Sequence, residues 1–329
     1  MGLFKRKKEA EGDDALRLYY ASDIHGTEVL WKKFLNAPKV YDARVLVMGG
    51  DITGKVVIPI VHEDDGTWSA RLFGGRQEAR DEAELDGLER RVRGNGMYPY
   101  RTTHAEVDRI AGLPEQEREQ WFESVMLHTF GNWIKLADER LAGTGIRVFV
   151  CPGNDDQLEV DEVVANAKTV ELGEGRVIDI DGFQLASSGW ANRTPWDTYR
   201  EEDEDVLLER IERMLANVTA DPDHTIYSLH CPPHNTGLDE APQLTADMSL
   251  KDAGRATVPV GSTAVRTVIE RHQPALALHG HIHEARGTHR LGRTLCINPG
   301  SSYEQGQLLG VVVDLDGKKK VKNFVLTSG

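Results

Sequence analysis

Leu16-Arg-Leu-Tyr-Tyr-Ala-Ser-Asp23-Ile-His25-Gly26 decides how the rest of the chain is read. It opens as an apolar run of strand length and ends in a carboxylate and an imidazole two residues apart. Along a strand, positions i and i+2 project to the same side, so Asp23 and His25 are placed to grip one cation together. Gly26 and Thr27 let the chain turn into a helix from near Glu28. Taken alone Asp-x-His says little, since a strand-end Asp is commonly a turn former and a single His a satisfied polar group. It gains weight from four strand ends downstream that also carry ligand-type residues.

Working outward, residues 27–37 have helical character, with Val29, Leu30, Phe34 and Leu35 on one stripe and Pro38 as the stop. Arg44-Val-Leu-Val-Met48 is a short continuous apolar run, the mark of a strand covered on both faces, and it empties into Gly49-Gly-Asp51. The strand–helix rhythm then breaks over about 55–144. There the sequence predicts a hairpin of 56–61 with 68–73, a charged helix over 77–92, a turn-rich connector at 93–100 and a long helix over 114–141. The block reads as an inserted cap or extra layer on a domain spanning 15–329, and 1–14 reads as a flexible basic tail.

The alternation resumes with a strand at 146–150 that runs into Cys151-Pro-Gly-Asn154-Asp155-Asp156. Helix-like sequence to 167 and a hairpin of 176–180 with 183–188 follow. After the loop Asn192-Arg193-Thr-Pro-Trp196 come a helix at 202–217 and a strand at 225–229 ending in His230. Residues 235–259 form a long polar loop and 262–272 a helix. A strand at 275–278 gives way to His279-Gly-His281-Ile-His283, and closing strands are expected at 294–297, 308–315 and 321–327.

The formal charge of −14 argues against sequence-independent binding of nucleic acid, which needs a basic face. It is compatible with a small phosphorylated substrate if bound cations reverse the local sign. The three cysteines, Cys151, Cys231 and Cys296, are odd in number, which fits unpaired thiols in a reducing, cytoplasmic setting. No apolar run approaches transmembrane length. The oligomeric state is left open.

Asp23/His25, Asp51, Asn154, His230 and His281/His283 thus stand at five strand exits. In open α/β sheets ligands collect beyond the carboxyl ends of strands. Seven oxygen and nitrogen donors are about what two adjacent ions need, and the set suits manganese first, with iron, zinc, nickel or cobalt as alternatives. The absence of thiolate argues against a purely structural zinc.

These blocks, Asp23-Ile-His25, Gly50-Asp51, Gly153-Asn154, His230 and Gly280-His281-Ile-His283, resemble in order and spacing the signature of the calcineurin-like metallophosphoesterase superfamily. Asn298-Pro-Gly-Ser301 makes the chain similar in look to bacterial and archaeal Icc-related predicted phosphoesterases. The resemblance covers residues 18–302. It implies an α/β, four-layer αββα sandwich, two facing mixed β-sheets flanked by helices, with a two-metal centre at one edge. It implies that Asp23, His25, Asp51 and His283 hold one ion and Asp51, Asn154, His230 and His281 the other, with Asp51 shared. The expected reaction is phosphoester hydrolysis, most simply of a diester, by a hydroxide between the ions. Phosphoprotein phosphatase or phosphomonoesterase activity, or a non-catalytic metal-binding scaffold, are the alternatives.

In that family the residue after the asparagine is commonly a histidine thought to protonate the leaving group, whereas here it is Asp155. A carboxylate beside two cations is held ionised and is a poor donor. A metal-bound water, His234, His62, His104 or His128 could take over. Catalysis is therefore assigned to Asp51, Asn154, Asp155 and His230, and substrate contact to Asn154 and to Arg193, whose planar fork suits a phosphate oxygen.

Overall fold

The computed structural model describes residues 15–245, 247–316 and 320–329, and the expected tail at 1–14 lies outside these residues. Two six-stranded sheets carry the fold. The first runs Lys320–Ser328, Leu309–Asp316, Leu16–Ala21, Val45–Met48, Arg147–Val150, Val170–Leu172. The second runs Gly287–Leu291, Thr294–Asn298, Leu276–Leu278, Thr225–Leu229, Phe183–Ser188, Arg176–Ile180. Central strands pair in parallel, and antiparallel strands close one edge of the first sheet and both edges of the second, so both sheets are mixed.

Period-two alternation explains the continuous apolar runs, because both faces of each sheet are covered. Leu18, Tyr20, Val45, Val47 and Phe149 of the first sheet face Leu185, Ile226, Leu276, Leu278 and Ile297 of the second. The intervening Tyr19, Ala21, Leu46, Met48 and Val150 pack outward against Trp31, Phe34, Phe130 and Trp133. On the other side Tyr227, Ala277 and Cys296 meet helices Glu204–Leu215 and Thr263–His272. Helix, sheet, sheet and helix therefore stack as the four expected layers.

The block after Lys55 differs from its sequence reading. The hairpin forms, but within a four-stranded sheet ordered Gly75–Ala79, Trp68–Leu72, Val56–His62, Met97–Thr102. Gly75–Ala79 takes the start of what reads as a charged helix. That helix spans Glu82–Gly94 and begins where the Asp81 carboxylate accepts the Glu84 N–H at 2.8 Å. The supposed connector holds an edge strand, Met97–Thr102, parallel to Val56–His62, where Pro99 is tolerated.

Helix Glu115–Leu141 buries Met126, Phe130, Trp133 and Ile134 in the outer layer of the first sheet. There the Trp31 indole N–H donates to the Trp133 carbonyl at 3.0 Å. The second half of the block is thus a layer of the main fold. Other differences are small. Pro38 sits inside a second short helix, Ala37–Tyr41, and Val170–Leu172, Gly287–Leu291 and helix His104–Ala111 lacked a sequence signal. Cys151, Cys231 and Cys296 are buried and unpaired, as expected. Among the described residues no helix is long and apolar enough to cross a membrane.

Candidate metal centre

Asp23, Asp51 and Asn154 follow three neighbouring parallel strands of the first sheet, and His230 and His281 follow two of the second. Backbone bonds stitch these exits together. The Asp23 and His25 N–H groups donate to the Gly50 and Asp51 carbonyls at 2.9 Å, and Gly280 N–H donates to the His230 carbonyl at 2.9 Å. Asp23, His25, Asp51 and His281 all have positive φ, the left-handed backbone that non-glycine residues rarely adopt and that clusters at functional sites. Gly50 and Gly280 permit the close approach. A Cβ at Gly50 would strike the His230 ring, and one at Gly280 would strike the Asp23 carboxylate.

Three ligand triads result among the described residues, Asp23–His25–His283, Asp51–His230–His281 and His25–Asp51–Asp155, each with donor atoms within 4.8 Å of one another. His25 Nε2 lies 3.0 Å from His283 Nε2 and 3.9 Å from Asp51 Oδ2, which joins the triads. His230 Nε2 lies 3.3 Å from Asp51 Oδ1 and 3.9 Å from Asp23 Oδ1. Asp23, Asp51, Asn154 and His230 are buried, whereas the His283 side chain is 30% exposed and marks the open side.

The donors fit a cation. His230 Nδ1 is tied to the Gly49 carbonyl at 2.9 Å, so Nδ1 carries a proton and Nε2 is the atom turned to the cluster, where a cation would bind it. The Asn154 amide donates to the Thr198 hydroxyl at 2.8 Å, which turns its Oδ1 inward. Both inward atoms, His230 Nε2 and Asn154 Oδ1, are buried with no hydrogen-bond partner. Burying such atoms is costly unless something binds them.

The electrostatics agree. Burial pulls His25 and His281 down to about 3, keeping their rings neutral and free to ligate. Burial pushes Asp51 up to about 6, against the opposing pull of His230. Asp23 is equally buried, yet hydrogen bonding to His283 and the nearby imidazoles hold it well below the usual carboxylate range. His230 is the exception: Asp51 and Asp23 outweigh its desolvation and push it up to about 10, so without a cation Nε2 holds a proton between these carboxylates, the place a cation would take. A cation would relieve this crowding of buried carboxylates.

Asp155 enters the third triad, with His25 and Asp51, and leaves the other two to the expected ligands. Its N–H donates to Asp51 Oδ1 at 3.0 Å, and its carboxylate lies 3.8 Å from His25 and 2.5 Å from Lys55 Nζ. Arg193 is not brought to the cluster. Its guanidinium is at the surface between Asp197 at 2.9 Å and Asp203 at 3.3 Å, carboxylates close in sequence. The alternative proton donors also have other partners. His234 lies 3.6 Å from Asp239, His104 2.8 Å from Glu63 and His128 3.3 Å from Asn132, while His62 packs on Trp68.

Several positioning residues escaped sequence reasoning. The Asp156 carboxylate accepts N–H bonds from Ile52, Thr53 and Gly153 and the Thr53 hydroxyl, locking the Asp51 loop to the Asn154 loop. Its place in Asn154-Asp-Asp156 was the available signal. Glu201 accepts from the Thr194 and Thr198 hydroxyls and so fixes the hydroxyl that orients Asn154. The Ser301 hydroxyl donates to the Asp23 carbonyl at 2.6 Å, giving a role to the Asn298-Pro-Gly-Ser301 turn.

No model of a protein family matches the chain. It is 29% identical over 197 residues to the uncharacterized protein MJ1162 of Methanocaldococcus jannaschii, covering 57% of this chain and 82% of that one. A crystal structure at 15% identity superposes with a TM-score of 0.55 over 95% of this chain and 98% of its own. TT1561 of Thermus thermophilus, at 13% identity, superposes with a TM-score of 0.50 over 96% and 98%. The chain therefore shares with these two structures a fold of two facing mixed sheets flanked by helices, and in it five strand exits converge at one edge.

Proposed function

We propose that the chain is a metal-dependent phosphoesterase that hydrolyses small phosphodiesters. One observation carries the reading: two buried donors without partners, Asn154 Oδ1 and His230 Nε2, converge on two carboxylates and three further imidazoles. Asp23, His25, Asp51 and His283 would hold one divalent cation, and Asp51, Asn154, His230 and His281 a second. Such a pair supplies Lewis-acid stabilisation of phosphoryl oxygens and a nucleophilic water at neutral pH. Manganese suits this oxygen–nitrogen set, and iron, zinc, nickel and cobalt are compatible with it.

The protein's own groups do the rest. Thr198 and the Gly49 carbonyl orient Asn154 and His230 before any substrate arrives, so little reorganisation is needed in the transition state. Asp156 keeps Asp51 and Asn154 in register. The open side at His283 admits a phosphoryl group while Asp23 and Asp51 stay buried. The charge of −14 supports a small phosphoester rather than a nucleic-acid backbone as the substrate. Three buried, unpaired cysteines support a reducing, cytoplasmic setting.

The test is hydrolysis of bis-p-nitrophenyl phosphate by the full chain with Mn²⁺. Turnover that Asn154→Ala and His230→Ala both abolish is the expected result. Turnover that persists in those variants would overturn the roles given to Asn154 and His230, and metal binding without turnover by the wild type would favour the scaffold alternative.

A further inference from the structure

Beside the cluster lies a cleft of about 360 Å³, toward the small end of ligand sites and sized for a single or fused ring rather than a polymer. Phe122 and Met126 of helix Glu115–Leu141 form one wall, Trp196 and Tyr199 the other, and Lys55 and Asp155 join it to the cluster. Trp196 is 66% exposed and Tyr199 53% exposed. Large rings left open on two sides of a slot offer stacking faces to a planar ligand.

The slot is held in shape. The Gln157 amide donates to the Tyr199 hydroxyl at 3.1 Å, and Arg193 pairs with Asp197 between the two rings. Arg193, expected to touch phosphate, thus braces the wall of the cleft. Lys55 is the cation at the junction. Its ammonium gives one N–H to Asp155, has two more to offer and is 59% exposed toward solvent. Through Asp155 it stands one residue from Asn154 and next to His25.

We propose that this cleft is the leaving-group subsite of the phosphoesterase: it stacks a planar aromatic leaving group between Phe122, Trp196 and Tyr199, and Lys55 hydrogen-bonds the departing oxygen. The inference rests on the phosphoesterase reading and names its substrate class. In the reaction the ester P–O bond breaks, water supplies the new P–O bond, and one proton of that water ends on the departing oxygen. Lys55 lends a hydrogen bond to the charge developing there and is not consumed. Asp155, standing where a proton donor was sought, serves as the anchor of Lys55.

Two measurements on the Mn²⁺-loaded full chain test the subsite. Calorimetric titration compares phenyl phosphate with methyl phosphate in the wild type and in Trp196→Ala. Phenyl phosphate should bind about tenfold more weakly to the variant, in line with loss of one stacking face, and methyl phosphate about equally to both. Equal phenyl phosphate affinity in the two proteins overturns the subsite, whether or not turnover is seen.

The second measurement compares methyl p-nitrophenyl phosphate with methyl phenyl phosphate, whose leaving group is the stronger base. Lys55→Met should lower kcat/KM about a hundredfold on the phenyl ester and only a few-fold on the nitrophenyl ester, with Lys55→Arg restoring most of the loss. An equal fall on both esters overturns the role of Lys55. Discriminating phenyl phosphate binding with no hydrolysis of either ester by the wild type would instead overturn the phosphoesterase reading and leave the aromatic slot standing.

Discussion

The Nε2 atoms of His25 and His283 face each other at 3.0 Å. Two imidazole nitrogens at that separation need either a proton or a cation between them. Nitrogens bound to one ion at roughly 2.1 Å and at about a right angle lie about 3 Å apart, so the spacing suits shared ligation. Burial holds His25 neutral, which leaves its lone pair available. Metal binding should therefore stabilise the folded chain, by about 2.7 kcal/mol at a metal concentration a hundredfold above Kd. Scanning calorimetry should show a melting temperature several degrees higher with Mn²⁺ than with EDTA, and a smaller gap in His283→Ala. An identical melting temperature in both conditions would exclude a cation bound between these rings.

Asp156 should matter as much as a ligand although it faces away from the triads. Its carboxylate collects three backbone N–H groups and one hydroxyl from the two loops that present Asp51 and Asn154. In Asp156→Asn one of the two acceptor oxygens becomes an NH₂ that faces donors. A loss of about 1–3 kcal/mol in stability is expected. Metal affinity should fall about 10–100-fold, as when other groups that orient ligands are lost. Urea denaturation and metal titration of the same variant check both, and unchanged metal affinity would mean the loops hold register without this carboxylate.

What the sequence disclosed follows from which forces are local. Residues 16–21, 45–48 and 225–229 are covered on both faces, so their apolar runs announce strands, and the polar residues just beyond announce the cluster. Gly75–Ala79 and Met97–Thr102 belong to a small sheet with much of its surface in water. Their Gly-Arg-Gln-Glu-Ala and Met-Tyr-Pro-Tyr-Arg-Thr sequences carry no alternation strong enough to compete with nearby helix and turn signals. The Lys55–Asp155 pair joins residues a hundred positions apart through one exposed lysine, and nothing local marks it. Arg193 was singled out for its chemistry, and nearby carboxylates decided its position instead.

Arg200 is one of the largest fully buried side chains, and it ties the loop bearing Thr198 and Glu201 to the segment after Asn154. Its guanidinium donates to the Asp156 and Gln157 carbonyls at 3.0 and 2.9 Å and to the Asp161 carboxylate at 2.8 Å. Arg200→Ala strands these acceptors and should cost about 3–5 kcal/mol. The double variant Arg200→Met, Asp161→Leu removes both charges and should recover part of that loss. Denaturant unfolding distinguishes the cases. If the double variant is no better than the single, the carbonyl contacts rather than the ion pair hold the loop.

Acid should loosen the inserted sheet before the main one. Glu89 is buried on helix Glu82–Gly94 between Arg101 of the edge strand at 2.5 Å and Arg93 at 2.8 Å. Desolvation raises its pKa, but hydrogen bonds from the two guanidinium groups more than offset this, so its folded value lies below the unfolded one. A carboxylate lowered in this way contributes fully above its unfolded pKa of about 4.3, and the contribution disappears as pH falls through the folded value. Amide exchange read as protection factors should therefore fall in Met97–Thr102 between about pH 5 and pH 3, while Leu16–Ala21, in the central core, keeps its protection. In Glu89→Gln the strand should be less protected at pH 6 and show little further change on acidification. A wild-type-like acid response in that variant would shift the titration to other carboxylates of the insertion, Glu63 foremost, which hydrogen bonds from Ser69 and His104 hold below its ordinary value.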